Sequence, residues 1–246
     1  MNETTQASRR TAARAAGFSY LFMVLGGIHY YLFVGSRLTV AGNAAATAST
    51  VLANEALFRV GVGYELLMAI NLVVLAMALH VILKPVGGNL ASLALYWVLA
   101  EAILAAAMVL VAFIALQLLQ GRSALSSPGP EQLLDLVGLY LSVRMAGHTI
   151  STVFLSLGML VFMFLLLQSR FVPRALAGFG VASYSLMLLA ALVNILVPGS
   201  PASMMSMQST FDVICIVPSI LFEVSAGLWL SFRGVDLRAD ARGLVS

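Results

Sequence analysis

ELLMAINLVVLAMALHVILKPVGGNLASLALYWVLAEAILAAAMVLVAFIALQLL, Glu65 to Leu119, decides the fold. Two long apolar runs flank Lys84-Pro85-Val86-Gly87-Gly88. About 20 apolar residues of helix span a ~30 Å hydrocarbon core, so each run is long enough to cross a membrane. Proline removes a backbone donor and clashes with the preceding turn, and paired glycines weaken a helix further, so the break reads as a helix stop. The spacing predicts one helix over about Leu57–Leu83 and another over about Leu90–Leu119.

Four more apolar segments lie outside this pair: about Ala15–Val34, Glu131–Leu167, Ala175–Val197 and Phe211–Phe232. The connections carry the residues that end helices. A polar, Ala/Thr-rich loop runs to Ala53; Gly121-Arg122 and Ser126-Ser127-Pro128-Gly129-Pro130 form a second; Gln168–Arg174 contains Pro173; Pro198-Gly199-Ser200-Pro201 ends the fifth segment. Asn54 has the side chain of an N-cap for the second helix, where Glu55 and Arg59 make an i,i+4 pair. The fold class expected is all-α, a polytopic membrane bundle of six transmembrane helices.

Composition agrees. The chain has 246 residues, 61% hydrophobic and 9% charged, with mean hydropathy +1.01. Soluble domains carry about 25% charged residues, and so few cannot cover a water-exposed surface. A net charge of only +3 with no dense Lys/Arg patch excludes nucleic acid as a partner. The single cysteine, Cys215, excludes an intramolecular disulfide and a Cys-based zinc site.

Basic residues set the expected orientation. Arg9, Arg10, Arg14, Lys84, Arg170, Arg174, Arg233, Arg238 and Arg242 fall on one side, and Arg37, Arg59, Arg122 and Arg144 on or near the other. Nine against four puts both termini in the cytoplasm. Residues 1–14 form a polar N-terminus, 15–233 one membrane domain without internal repeat, and 234–246 a polar tail. Arg9-Arg10, the first apolar run and Ala41–Ala46 contain the ingredients of a cleaved signal peptide, but the run is too long for a signal h-region and the alanines lie well past its end.

Ionisable residues inside the apolar runs are the candidates for chemistry, because each costs at least ~2.5 kcal/mol to insert and needs a partner or a proton. At 1.5 Å per residue, Glu101 and Glu223 lie ~16 Å into their segments, Glu65 ~12 Å below the outer side, and His148 ~30 Å above the inner boundary, with Arg144 higher still. Tyr140, Arg144, His148 and Ser151 share one helical face. Asp212, Cys215, Ser219, Glu223 and Gly227 share another, as do Gly180, Tyr184, Met187, Ala191 and Asn194, and Trp97 with Glu101. Lipid offers polar groups no partner, so these faces should point inward. The expected site is a polar cavity lined by Glu65, Glu101, Arg144, His148, Glu223 and Asn194. Each has a structural reading too: the acids as interhelical bonds, Arg144 as a snorkelling interfacial anchor, His148 as a neutral imidazole bonded to a carboxyl or hydroxyl; as counter-ion to a carboxylate, Arg144 would instead be a ligand clamp. His29 reads as a bonded core histidine and His80 as interfacial.

Neither a metal nor a cofactor is expected. His29 and His148 differ in depth by too much for bis-histidine haem, and no HxxxH or ExxH spacing occurs. Met204, Met205 and Met207 offer soft ligands for copper, but a Met-rich interfacial loop is the commoner explanation. No P-loop or nucleophile elbow is present.

The pieces that best mark this chain are Asn54-Glu55-Ala56-Leu57-Phe58-Arg59-Val60-Gly61, Glu65-Leu66-Leu67-Met68-Ala69, Leu83-Lys84-Pro85-Val86 and Asn89-Leu90-Ala91-Ser92-Leu93-Ala94. Gln168-Ser169-Arg170-Phe171-Val172-Pro173-Arg174 follows, then Val217-Pro218, Glu223, Leu228-Trp229-Leu230 and Arg233-Gly234-Val235. In this order they resemble the bacterial membrane family catalogued as domain of unknown function 4386, over essentially the whole chain. The resemblance implies a multi-pass protein of the bacterial inner membrane, with an acid at the position of Glu65 and a Glu at that of Glu223. A further acid is frequent in the second helix, where this chain has Asn71-Leu72, and Ala175-Leu176-Ala177-Gly178 departs mildly from a glycine-rich pattern. The family carries no assigned activity.

Three functions fit the sequence. The first is a small protein that binds or transports an amphiphile or ion through a polar intramembrane cavity, with the lipid bilayer around it and a homodimer supplying the second half that other transporters build by repeat. The second is an intramembrane enzyme acting on a lipid or isoprenoid, with Glu101 or Glu223 as acid and His148 as base. The third is a structural or regulatory subunit.

Overall fold

The computed structural model of the chain describes residues 3–40, 43–120, 129–197 and 210–236. The 121–128 connection, the Met204/Met205/Met207 segment and the tail beyond 236 lie outside the described residues. The protein is all-helical, with no strand among the described residues.

Helix α1 spans Glu3–Tyr30 and passes through a π-helical turn, Tyr31–Gly35, into the single turn α2, Ser36–Leu38. It therefore begins well before the first apolar segment. Residues 3–14, read as a polar N-terminus, are helical, and Arg9 among them is buried. Its guanidinium lies 4.6 Å from the centre of the Phe171 ring and donates through Nη2 to the Ile82 carbonyl at 3.3 Å.

The expected loop before the second segment is partly a helix, α3, Ala44–Ala53. Five alanines favour the helix, and the Asn43 side chain caps it by accepting from the Ala46 amide at 2.9 Å. The hydroxyls that made this stretch look like a loop bond back along the same helix, Thr47 to the Asn43 carbonyl and Thr50 to the Ala46 carbonyl. Asn54 is also corrected. It closes α3, donating its side-chain amide to the Thr50 carbonyl at 2.9 Å, and makes no side-chain cap for the helix that follows. The Glu55–Arg59 pair is present at 2.7 Å.

Helical structure runs through Glu55–Leu119, labelled α4, with Pro85 inside and extended backbone at Gly87 (φ −163°, ψ 80°). On one straight helix, Arg59 and Phe113 would stand ~80 Å apart. The Arg59 guanidinium instead lies 5.7 Å from the Phe113 ring centre, so α4 folds back on itself at Gly87. The Lys84–Gly88 break makes two antiparallel arms, as its composition predicts. Helix α5 covers Pro130–Ser169, with proline at the first position, where its missing N–H costs nothing. A tight link follows, with Arg170 at φ 56° and the Phe171 amide bonded to the Ser169 hydroxyl at 3.3 Å. Helix α6 is Arg174–Leu196 and α7 is Thr210–Phe232, with Pro218 inside. Among the described residues, five helical segments are long and apolar enough to cross a membrane. Counting the two arms of α4 separately makes six.

Contacts divide the chain into two compact units, and the divisions fall inside helices. The first comprises the described residues of Met1–Val24, Ile70–Ala102 and Thr149–Ser246. Its core includes Tyr20, Leu79, Ile82, Phe162, Tyr184 and Phe222, all at most 1% exposed. Here α1 and α7 approach through glycines: a Cβ on Gly17 would meet the Ser231 amide nitrogen at 2.5 Å and the Gly227 carbonyl at 2.8 Å. Asn71, at the position where the resemblance led one to expect an acid, donates to the Ser19 carbonyl at 3.1 Å and so ties α4 to α1. The second unit comprises Leu25–Ala69 and Ile103–His148, with a smaller core of Val34, Leu38, Val51, Phe58, Val62, Ala112 and Leu116.

Candidate functional site

The second unit holds an ion pair between two helices. Glu65 stands on the first arm of α4 and Arg144 on α5. Arg144 Nη1 donates to Glu65 Oε2 at 3.0 Å, and Nη2 donates to Oε1 in a shorter contact. The pair is thus bidentate, the arrangement in which a planar guanidinium matches a carboxylate best. Tyr30, the last residue of α1, donates its hydroxyl to the same Oε1 at 2.6 Å. The side chains are 13% exposed for Arg144 and 18% for Glu65, so both are reachable without being on the surface.

Aromatic rings frame the pair. Tyr64 stacks on Tyr30 with ring centres 5.4 Å apart and planes at 22°, and the Tyr64 hydroxyl is buried without a hydrogen-bond partner. Room for that hydroxyl exists because residue 26 is glycine: a Cβ there would sit 2.0 Å from the Tyr64 oxygen. Tyr140, one turn before Arg144, and His148, one turn after, lie within its electrostatic reach. The π-helical turn begins directly after Tyr30; such turns widen a helix locally and are frequent at functional sites.

The first unit holds a different group. Tyr184 of α6 donates its hydroxyl to Glu223 Oε1 of α7 at 3.1 Å. The Tyr20 hydroxyl of α1 is buried beside them without hydrogen-bond geometry. Phe222 contacts the Tyr20 and Tyr184 rings edge-on at 6.0 and 5.8 Å. Gly180 makes space for Phe222, which a Cβ would approach to 2.6 Å. Cys215 and Ser219, on the same face of α7 as Glu223, are buried.

A family model described as "Domain of unknown function (DUF4386)" matches residues 15–234. The chain belongs to that family. No curated protein and no solved structure matches it.

Within this DUF4386 chain, the sequence candidates sort as follows. Glu65 and Arg144 are bonded to each other, and His148 stands beside Arg144 on α5. Glu223 belongs to the tyrosine group of the first unit. Glu101, also in the first unit, has a buried Oε2 without a hydrogen-bond partner. Asn194 is half-buried near the end of α6. His29, expected in the core, is exposed and packs on Phe33 at 4.7 Å, because its face of α1 is turned outward. His80 Nδ1 is buried without a hydrogen-bond partner. Among the described residues, no three of His, Cys, Asp and Glu group as metal ligands. Sequence reasoning missed Tyr30, Tyr64 and Tyr20. A tyrosine in an apolar helix reads as an interface anchor, and only the packing shows which hydroxyl meets an acid.

Proposed function

We propose that this protein crosses the bacterial inner membrane six times, with both termini in the cytoplasm, and binds a small amphiphile or ion at polar groups held between its helices. The observation that carries the reading is the bidentate Arg144–Glu65 pair with Tyr30 on the shared oxygen. A pair kept only to hold helices together is a poor investment in apolar surroundings, since well-packed apolar residues of similar volume often serve as well or better. Ionisable residues inside membrane helices accordingly tend to mark ligand or ion sites. The partly exposed pair, the ring platform of Tyr30 and Tyr64, and the buried unpartnered hydroxyl fit a site that receives a ligand. The excess of Lys and Arg on one side supports the orientation.

Thermal stability of the purified protein against a panel of lipids, quinones and salts tests the reading. Wild type should be stabilised by at least one class, and Glu65→Gln or Arg144→Gln should change that response. If wild type and both variants respond alike throughout, the reading fails. Cysteine labelling tests topology: reaction of a cysteine placed at Ser126 from the cytoplasmic side would overturn the orientation. Light scattering in detergent tests whether a homodimer supplies a second copy of the site.

A further inference from the structure

We infer that the ligand is an amphiphile with an anionic headgroup, a carboxylate or phosphate, and that Glu65 occupies the headgroup site when the ligand is absent. This rests on the ligand-binding reading above and names its chemistry.

Arg144 and Tyr30 together direct three hydrogen bonds at one carboxylate. Parallel guanidinium donors are the geometry for carboxylate and phosphate oxygens. The present acceptor is Glu65, a side chain of the protein itself. An incoming acid that passes its proton to Glu65 can take over these donors as the anion, so Arg144 faces one negative charge throughout the exchange and Glu65 is left neutral. The alternatives fare worse on charge. A cationic headgroup would meet Arg144 and would have to draw Glu65 away from three donors. A neutral headgroup gains little from a guanidinium whose charge is already matched.

Two further features favour exchange at this place. The Tyr64 hydroxyl beside Tyr30 is buried and unpartnered, a spare donor for a headgroup with more oxygens than Glu65 supplies. Tyr30 is hinged directly to the π-helical turn Tyr31–Gly35, where the regular bonding of α1 is already interrupted, so its hydroxyl can follow a new acceptor with little loss of helix. The residues next to the pair in sequence, Leu66 after Glu65 and Val143 before Arg144, are apolar and exposed, so apolar surface for an acyl chain borders both helices.

Binding of four probes of equal chain length to the full-length protein in an uncharged detergent tests this: a fatty acid, a phosphatidic acid, an alkyl trimethylammonium and a monoglyceride. The fatty acid, the phosphatidic acid or both should bind saturably, and comparing them separates carboxylate from phosphate as the preferred headgroup. Glu65→Gln, which removes the resident carboxylate, should bind the anionic probe about tenfold more tightly, Arg144→Gln at least tenfold more weakly, and Arg144→Lys in between. Where Arg144→Gln does not fold, the gain in Glu65→Gln and the loss in Arg144→Lys carry the test. Tighter binding of the trimethylammonium or the monoglyceride, or weaker anion binding by Glu65→Gln, overturns the inference and leaves a ligand site standing. Saturable binding of none of the four, together with no response to the wider lipid, quinone and salt panel, overturns both.

Discussion

Arg144 and Glu65, 79 positions apart, meet through both carboxylate oxygens, and Tyr30 joins them from a third helix. The contact brings three helical segments of the second unit, the end of α1, the first arm of α4 and α5, to one charge pair. Removing one member of such a buried pair strands the other, which costs about 3–5 kcal/mol where the site stays dry.

Arg144→Ala and Glu65→Ala should each be strongly destabilising, and the double variant should lose clearly less than the sum, because the second change removes a charge already stranded. A double-mutant cycle on thermal unfolding in detergent measures the coupling. Additive losses would show that the pair is screened and carries no interaction energy.

The tyrosines of the first unit should differ in what their hydroxyls contribute. Tyr184→Phe removes the donor to Glu223 Oε1 and should cost about 1–3 kcal/mol by leaving a buried acceptor short of a bond. Tyr20→Phe removes a hydroxyl that lies beside the Tyr184 hydroxyl without meeting hydrogen-bond geometry and should cost less, or nothing. Unfolding midpoints of the two variants decide the matter; equal losses would mean that Tyr20 is bonded in solution.

Arg9 should matter far more than its place in a polar N-terminus suggests. Its guanidinium lies on Phe171 and bonds Ile82, tying the start of α1 to the α4 turn and the α5–α6 link. Arg9→Lys keeps the charge but loses the planar contact, worth on the order of 1–2 kcal/mol when desolvated, whereas Arg10→Lys, at an exposed position, should change little. Hydrogen exchange of the first turns of α1 should accelerate in the Arg9 variant and not in the Arg10 variant.

Gly17→Leu should disrupt the approach of α1 to α7, since even a Cβ would lie 2.5 Å from the Ser231 amide. Backbone atoms cannot step aside as a flexible side chain can, so the helices must separate. Gly63→Ala is the control, because a Cβ there meets nothing within 4 Å. Loss of folded protein in both variants would point to a cause other than the α1–α7 contact, since alanine and leucine are both better helix formers than glycine.

Much of the fold was legible because membrane helices announce themselves by length and apolarity, which are local properties. The Lys84–Gly88 break predicted the fold-back of α4, and the later helix limits fall within a few residues of the apolar runs. The misses had a common cause. Asn43, Thr47 and Thr50 look like loop residues until their side chains are seen bonding to their own helix, and the amide of Asn71 reads as a missing acid until it meets Ser19.

The candidate groups divide along the same line. Composition and 3.6-residue periodicity were enough to find the acids, Arg144 and His148, and to place them on helical faces, because a charge in an apolar run stands out against its neighbours. Which acid meets which partner was decided by tertiary structure alone. Glu65 takes Arg144 and Tyr30 in one unit, Glu223 takes Tyr184 in the other, and Glu101 keeps an unpartnered oxygen. Helical periodicity fixes a side chain's direction around its own axis, whereas pairing depends on the rotation and height of separate helices, which are set by glycine contacts such as Gly17 with Gly227 and by the packing of both cores.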